Sequence, residues 1–273
     1  MKKSSFFDRV AAVPHSVFTA LFIVAPLLFV VYFAFTDQNG SFTMENILSL
    51  NEYSGTFVMS LGFALIATTV CLLVGYPLAY AMSKTSERTR NILVVLIMLP
   101  TWISLLIRTY SLMSLLDNGG IVSTFLVNLG FEKLTFIGTE GAVILGMVYD
   151  FLPYMVLPIY NSVTKLDKRY IEAANDLGCN NVQTLFKVVL PLTVPGIVSG
   201  VTMVFVPSIS TFYISQKLGG GLFDLIGDTI ERQFQNVITY NTGAAVSLVM
   251  MILILLSMAV MNKFSDGKED MVV

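Results

Sequence analysis

The sequence has few of the residues on which metal proteins and hydrolytic enzymes rely. Its 273 residues include one histidine and two cysteines. One histidine cannot form the usual histidine-rich metal site, and His15 lies at the start of an apolar run, where an interfacial side chain is expected. The chain also lacks the phosphate-binding pattern G-x-x-x-x-G-K-[ST] and the nucleophile pattern G-x-S-x-G. We therefore expect no catalytic residue, no metal site and no bound nucleotide or other cofactor.

Charged residues are also scarce. They make up 12% of the chain against 55% hydrophobic residues, which excludes an ordinary soluble domain. The net charge of −2 argues against nucleic acid as a partner. Cys71 falls in an apolar run and Cys179 in a polar segment, so we expect them to remain unpaired.

Long apolar runs are abundant. Six are long enough for a hydrocarbon core, which needs about 20 helical residues. The predicted spans are Pro14–Phe35, Val58–Met82, Ile92–Leu116, Gly141–Val163, Val194–Ile214 and Gly243–Asn262. The sequence thus predicts an all-α polytopic membrane protein with six transmembrane helices at 14–262, between an N-terminal segment (1–13) and a tail (263–273). Because the first run is long and lacks a small-residue cleavage site, it is interpreted as a retained span rather than a signal peptide.

The distribution of Lys and Arg predicts the orientation. With the N-terminus inside, twelve of the sixteen basic residues fall in cytoplasmic segments, three fall in outer loops, and Arg108 lies within the third span. We therefore expect both termini and the loop at 164–193 to lie in the cytoplasm. We expect the spans to contact the lipid bilayer.

Two outer segments have helical character. Residues 121–129 are apolar but too short to cross a membrane, so they predict a helix at the outer interface. Residues 226–237 form a polar helical stretch. Prolines within the spans predict kinks, and Pro153 with Pro158, close to Asp150, are interpreted as lining a path.

The loop at 164–193 carries the most specific pattern. Asp167 can cap a first short helix and Gly178 can end it in the left-handed conformation. Asn180 or Asn181 can cap a second helix, in which apolar residues recur at helical spacing from Val182 to Leu190. Two short helices joined by a glycine turn would present an apolar ridge to a partner's groove.

The spacing of this loop resembles the EAA loop of ABC importer permeases. Glu172, Ala173 and Ala174 are followed after three residues by Gly178, and after nine more by Val188 to Pro191. Val188 departs mildly from the family, which usually has Ile there. Flanking segments, including Leu72 to Pro77 and Leu157 to Ser162, resemble the B-type permease subunit of spermidine/putrescine importers.

The resemblance implies a type I ABC importer permease fold in a bacterial cytoplasmic (inner) membrane. It further implies a heterodimer with a homologous permease, a cytoplasmic ATPase dimer that binds ATP and Mg, and an extracytoplasmic substrate-binding protein. The residues that it assigns to ATPase coupling are Glu172, Ala173, Ala174, Gly178, Leu190 and Pro191. An ordinary cytoplasmic helical hairpin is the structural alternative for this loop.

Two charged residues within the spans are candidates for contact with cargo, because charges inside a membrane must face protein or water. Asp150 lies midway in the fourth span, and Arg108 lies in the outer half of the third. A flexible cationic cargo suits carboxylate and aromatic groups. The candidate path residues are Asp150, Tyr149, Tyr154, Arg108, Trp102 and Tyr160. The alternative is that Asp150 pairs with Arg108 or with another helix and only holds the bundle together.

Other functions remain open at this point. The same type of permease could carry an inorganic anion, iron or an amino-acid-like solute. A secondary transporter would work without an ATPase and would have no use for an EAA loop. A membrane-embedded enzyme would need clustered catalytic groups within the spans, which the sequence lacks.

Overall fold

The computed structural model describes residues 6–130, 132 and 135–269, with side chains from 13 to 263 within those ranges. Residues 1–5 of the predicted N-terminal segment and 270–273 of the predicted tail lie outside the described residues. Within the described part, extended residues pair only at an isolated bridge between Thr36 and Phe42. The predicted all-α class is confirmed.

Helices follow one another along the chain with short connections. Those before residue 130 are α1 (Phe6–Thr19), α2 (Ala25–Ala34), α3 (Glu45–Leu48), α4 (Ser54–Ser83), α5 (Glu87–Met98), α6 (Leu105–Leu116) and α7 (Ile121–Asn128). Those that follow are α8 (Glu140–Thr164), α9 (Lys168–Asp176), α10 (Asn181–Thr184), α11 (Leu190–Leu192), α12 (Val194–Ser210), α13 (Tyr213–Leu218), α14 (Ile226–Gln235) and α15 (Tyr240–Glu269). The expected outer helices correspond to α7 and α14.

Four helical segments are long and apolar enough to cross a membrane. They are Val13–Ala34, Glu45–Ser83, Glu140–Thr164 and Tyr240–Lys263. These segments contain or closely match the first, second, fourth and sixth predicted spans. Both α4 and α8 continue without interruption through their internal prolines.

The third predicted span is sharply bent close to Pro100, where a kink was expected, and the fifth predicted span begins just after a second bend. Glu87–Trp102 and Leu105–Asn128 meet at 93°, and Asn181–Leu192 and Val194–Ser210 meet at 69°. In the third span, Pro100 lies in a 3-10 turn and Ile103 is extended (ψ 138°), so the helix stops there and restarts. The fifth span ends at Ser210 rather than Ile214, because Thr211 is extended. With each bent pair counted as one span, the described residues contain six.

Two π-helical turns interrupt the helices that the structure describes, and each ends two residues before a proline. Ala20–Val24 precedes Pro26, and Leu185–Val189 precedes Pro191. A proline has no N–H to donate, and its ring crowds the carbonyl four residues earlier. In both turns the residue before the proline donates its N–H to the carbonyl five residues back instead. The wider turn thus accommodates the proline without ending the helix.

The larger of two compact units comprises Gly55–Asp228 and the chain from Ile254 onward. Its centre is α8, against which α4, α5, α6, α12 and α13 pack. Close approach of α12 to α8 requires glycine: a Cβ at Gly200 would lie 3.0 Å from the Met155 carbonyl oxygen. At Gly196 it would lie 2.8 Å from the Pro158 carbonyl oxygen. Tight packing therefore fixes the position of α8 in this unit.

The smaller unit comprises the chain up to Ser54 and Thr229–Leu253. Its buried core is formed by Ala34, Ala244, Ala245 and Leu248. Asn46 donates to the Thr36 carbonyl at 2.9 Å, which holds the turn after α2. Most of the segment Val13–Ala34 is exposed and apolar, as expected of a helix in contact with lipid.

Candidate functional site

The first half of the loop at 164–193 folds as its capping residues dictate. Asp167 begins α9 by accepting a hydrogen bond from the Arg169 N–H at 3.0 Å. Gly178 ends the helical turn with φ +82°, and the next residue, Cys179, donates its N–H to the Ala174 carbonyl at 3.0 Å. The predicted glycine turn is confirmed.

The second half begins with a capping box. Asn180 accepts from the Gln183 N–H at 2.9 Å, and the Gln183 side chain accepts from the Asn180 N–H at 3.0 Å. Asn180, rather than Asn181, is therefore the cap. The regular helical spacing expected from Val182 to Leu190 is wrong in its centre, because the π-helical turn Leu185–Val189 widens the helix.

The apolar residues of this loop divide into a buried and an exposed set. Val189 is buried, and Leu185 and Leu190 pack partly against the core. Val182 and Phe186 are 62% and 61% exposed, and Leu177 in the turn is exposed as well. We call Leu177, Val182 and Phe186 the docking face.

The EAA residues also differ in accessibility. Glu172 and Ala173 are exposed, whereas Ala174 is buried. The Ala174 carbonyl accepts the Cys179 hydrogen bond, so its backbone takes part in the glycine turn. Pro191 and Leu190 join the loop to α12 and are only partly exposed.

Asp150 and Arg108 form a buried ion pair between α8 and α6. The Arg108 Nη1 lies 3.1 Å from the Asp150 Oδ1, and their side chains are 5% and 0% exposed. Nη1 also donates to the Asp150 backbone carbonyl at 3.1 Å, and the Thr109 hydroxyl lies 3.2 Å from Asp150 Oδ2. The alternative considered above, that the two charges pair with each other, therefore describes the geometry.

The aromatic candidates for the cargo path divide into exposed and buried residues. Trp102 is 73% exposed, and Tyr149 and Tyr154 on α8 are also exposed. Tyr160 is buried in the core of the larger unit. Tyr154 lies one turn after Asp150, but the ring reaches the surface while the carboxylate faces α6. Tyr149, Tyr154 and Trp102 thus remain accessible, and Tyr160 does not.

A cluster that the sequence did not reveal lies where α6 meets α13. The Tyr110 and Tyr213 rings pack edge to face, with centroids 5.8 Å apart. The Lys217 ammonium lies 5.2 Å from the Tyr110 centroid and 5.6 Å from the Tyr213 centroid. More than a hundred residues separate Tyr110 from Tyr213 in the chain. Only the packing of α13 on α6 brings them together.

Asp228 in the first turn of α14 is a second buried acid. It is 4% exposed, and its Oδ2 accepts from the Leu225 N–H at 2.9 Å. Burial raises the pKa of the Asp228 carboxyl, and this outweighs the lowering by Ser215 and the Leu225 N–H. The sequence placed this residue in a polar helix without indicating its burial.

Comparison with known proteins agrees with the helical plan. The family model described as "Binding-protein-dependent transport system inner membrane component" matches residues 71–269. The spermidine/putrescine transport system permease protein PotB of Salmonella typhimurium (strain SL1344) is 38% identical over 262 residues, covering 92% of this chain and 91% of that protein. PotB of Haemophilus influenzae is 39% identical, covering 92% of both chains.

Among solved structures, a bacterial ABC transporter involved in the import of the acidic polysaccharide alginate has a chain of the same fold. The TM-score is 0.77 at 18% identity, covering 95% of this chain and 94% of that one. The family model and the two PotB proteins together cover the six-span plan and the loop at 164–193. The chain therefore belongs to the family of inner membrane components of binding-protein-dependent transport systems.

Proposed function

We propose that this chain is a permease subunit of an ATP-driven importer whose cargo is a polyamine, spermidine or putrescine. The observation that carries the proposal is the identity of 38–39% with PotB proteins over 92% of the chain. The similarity extends over nearly the whole length of both chains, so the proposal concerns the whole subunit.

The docking face is proposed to seat the ATPase. Leu177, Val182 and Phe186 are apolar side chains left exposed on a loop rich in polar residues, which is typical of a protein contact. Glu172 and Ala173 lie exposed on the preceding helix, where Glu172 can meet a basic group of the partner. Gly178 sets the angle between the two helices, and Leu190 with Pro191 connects the loop to α12.

The accessible aromatic residues are proposed to line the cargo path. Ammonium groups bind aromatic faces, and Trp102, Tyr149 and Tyr154 are open to contact. The tyrosine pair beside Lys217 already holds an ammonium in this way. Asp150 and Arg108 then act behind the path, where their pairing fixes α6 against α8 and so positions Tyr149.

The remaining components of the transporter belong to the proposal as well. A homologous permease completes the path, an ATPase dimer supplies ATP hydrolysis with bound Mg, and an extracytoplasmic binding protein delivers the cargo. This chain has no catalytic step of its own in that scheme. Both of its termini and the loop at 164–193 lie in the cytoplasm.

The test is uptake by the reconstituted complex. The tagged chain is co-purified with its partners, placed in proteoliposomes with ATP inside, and given the binding protein with labelled spermidine, putrescine, phosphate or methionine outside. ATP-dependent uptake of the two polyamines alone is expected. Uptake of another solute in preference would overturn the cargo assignment, and uptake without ATP would overturn the importer assignment in favour of a secondary transporter.

A further inference from the structure

A cleft of about 590 Å³ lies beside the loop, where α4 ends, α5 begins and α8 leads into α9. Three basic side chains border it, Lys84, Arg90 and Lys168, against a single acid, Glu172. Each basic residue comes from a different helix or helix end. The cleft therefore concentrates positive charge at one end of the helical bundle.

These three cations lack acidic partners. Within the described part of the chain, no ion pair involves any of them. The Lys84 ammonium lies 4.3 Å from the centre of the Tyr80 ring, a contact that leaves its charge available. The hydroxyls of Ser83, Thr85 and Thr164 donate to backbone carbonyls three or four residues earlier. Donors for an incoming anion would thus come from Lys84, Arg90 and Lys168.

Four aliphatic side chains also line the cleft. Val163 and Val189 are buried residues that reach its surface, and Leu166 and Ile171 complete the lining. A free anion has no apolar surface to bury against these side chains. The glycerol and first methylenes of a lipid would be stabilised by burial there. A lining that combines three basic side chains with four aliphatic ones matches a phosphate attached to acyl chains.

We propose that this cleft binds the headgroup of an anionic phospholipid. In the orientation proposed above, it opens at the cytoplasmic face, where anionic lipids attract basic residues. Tyr80 also lines the cleft, and tyrosines are enriched at membrane interfaces. Basic pockets between transmembrane helices on the cytoplasmic side are typical binding sites for such headgroups.

The cleft is separate from the docking face. Leu177, Val182 and Phe186 do not line it, and Glu172 alone belongs to both the EAA residues and the cleft. An acidic segment of the ATPase is therefore a less suitable occupant than lipid, because the ATPase has its own apolar surface to meet on the loop.

The test measures lipid retention by the intact purified complex. The complex is placed in nanodiscs of phosphatidylglycerol or phosphatidylcholine, then transferred to detergent, and its retained lipid is counted by native mass spectrometry. The cleft variant is Lys84→Gln/Arg90→Gln/Lys168→Gln. Its matched control is Arg88→Gln/Lys165→Gln/Lys263→Gln, which removes the same charge from exposed positions outside the cleft.

We expect the wild type and the control to retain phosphatidylglycerol and to melt at a higher temperature in its presence. The cleft variant should bind it about a hundredfold more weakly, from the loss of three interfacial cations. Its melting temperature in phosphatidylcholine should equal that of the control, which shows that it folds. The single variant Arg90→Gln provides the same comparison if the triple variant does not assemble.

Three outcomes would overturn the proposal. Equal retention of phosphatidylglycerol by cleft variant and control would show that the cleft is not the site. Equal stabilisation by millimolar inorganic phosphate in phosphatidylcholine would identify free phosphate as the ligand. Loss of the ATPase from the cleft variant with lipid retention unchanged would assign the cleft to the ATPase.

Discussion

At the scale of single residues, the main revision concerns Asp150 and Arg108. Each was a candidate for contact with cargo, but the structure pairs them at 3.1 Å with almost no exposure. Desolvation of a buried pair can exceed its Coulombic gain, yet removing one partner leaves the other charge uncompensated. The pair therefore matters for the position of α6, whatever the cargo.

Asp150→Asn should destabilise the chain by about 3–5 kcal/mol, because the buried Arg108 guanidinium loses its counter-charge. The double variant Asp150→Leu/Arg108→Met should recover most of that loss. Thermal unfolding of the purified complex measures stability, and labelled polyamine uptake measures function. If the double variant recovers both, the pair is a structural brace. Recovery of stability with uptake still abolished would instead show contact with cargo.

Asp228 gives a prediction that depends on pH. Burial raises its pKa above the ordinary value of 3.8, so the folded chain holds a proton more tightly than the unfolded chain does. Stability from this group is greatest at low pH and falls as the pH rises from about 4 through the folded-state pKa. Asp228→Asn should therefore raise the melting temperature at pH 7 and change it little at pH 4. An equal effect at both pH values would contradict the burial argument.

At the scale of elements, the loop at 164–193 shows how far local signals reach. Its caps and its turn were predictable because each depends only on residues close by in the chain. Asp167 caps the N–H two residues on, and Asn180 forms its capping box with Gln183. Gly178 needs only its own freedom to adopt a positive φ. The π-helical turn before Pro191 was not predicted, because the apolar spacing of residues 182–190 is compatible with an ordinary helix. A proline two residues after such a turn is the signal that could have indicated it.

The cost of a substitution at Gly178 should depend on how well the new residue tolerates a positive φ. A Cβ there would meet nothing within 4 Å, so the penalty arises from the backbone rather than from a clash. Gly178→Asn should be mild, Gly178→Ala should cost about 1 kcal/mol, and Gly178→Val should cost more. Cargo-stimulated ATPase activity should fall in the order Asn, Ala, Val. Full stimulation in the Val variant would show that the turn angle does not matter for coupling.

The docking face can be tested with a matched pair of variants. Val182→Ser/Phe186→Ser should release the ATPase from the purified complex while the permease keeps its melting temperature, since both side chains are largely exposed. Val189→Ala, in the same loop but buried, should lower the melting temperature by removing core contacts. Retention of the ATPase by the double Ser variant would place its contact elsewhere.

At the scale of the whole molecule, hydrophobic length predicted the number of spans but not their shape. The first, second, fourth and sixth spans follow from apolar runs alone. A kink near Pro100 was expected, but the angles of 93° and 69° do not follow from apolar runs, because they depend on how the helices pack. Pairs such as Tyr110 with Tyr213, and Arg108 with Asp150, depend on which helices become neighbours, which a single sequence does not specify.

The two cysteines allow a direct test of the proposed orientation. Both are free; Cys71 is fully buried, whereas Cys179 is partly exposed in the loop. A membrane-impermeant maleimide should label the chain in inside-out vesicles and leave it unlabelled in intact spheroplasts. Cys179→Ser should abolish the labelling, and Cys71→Ser should not. Labelling in spheroplasts would place the loop outside.

The pairing of Arg108 with Asp150 also affects how the chain enters the membrane during synthesis. Arg108 leaves the ribosome 42 residues ahead of its partner. A lone arginine within a span opposes insertion, by about 2.5–3.5 kcal/mol at the helix centre on translocon scales and by less toward the interface. The third span should therefore insert stably only when the fourth span enters the membrane and supplies Asp150. In this chain, a contact between two neighbouring helices is thus also a constraint on the order of biogenesis.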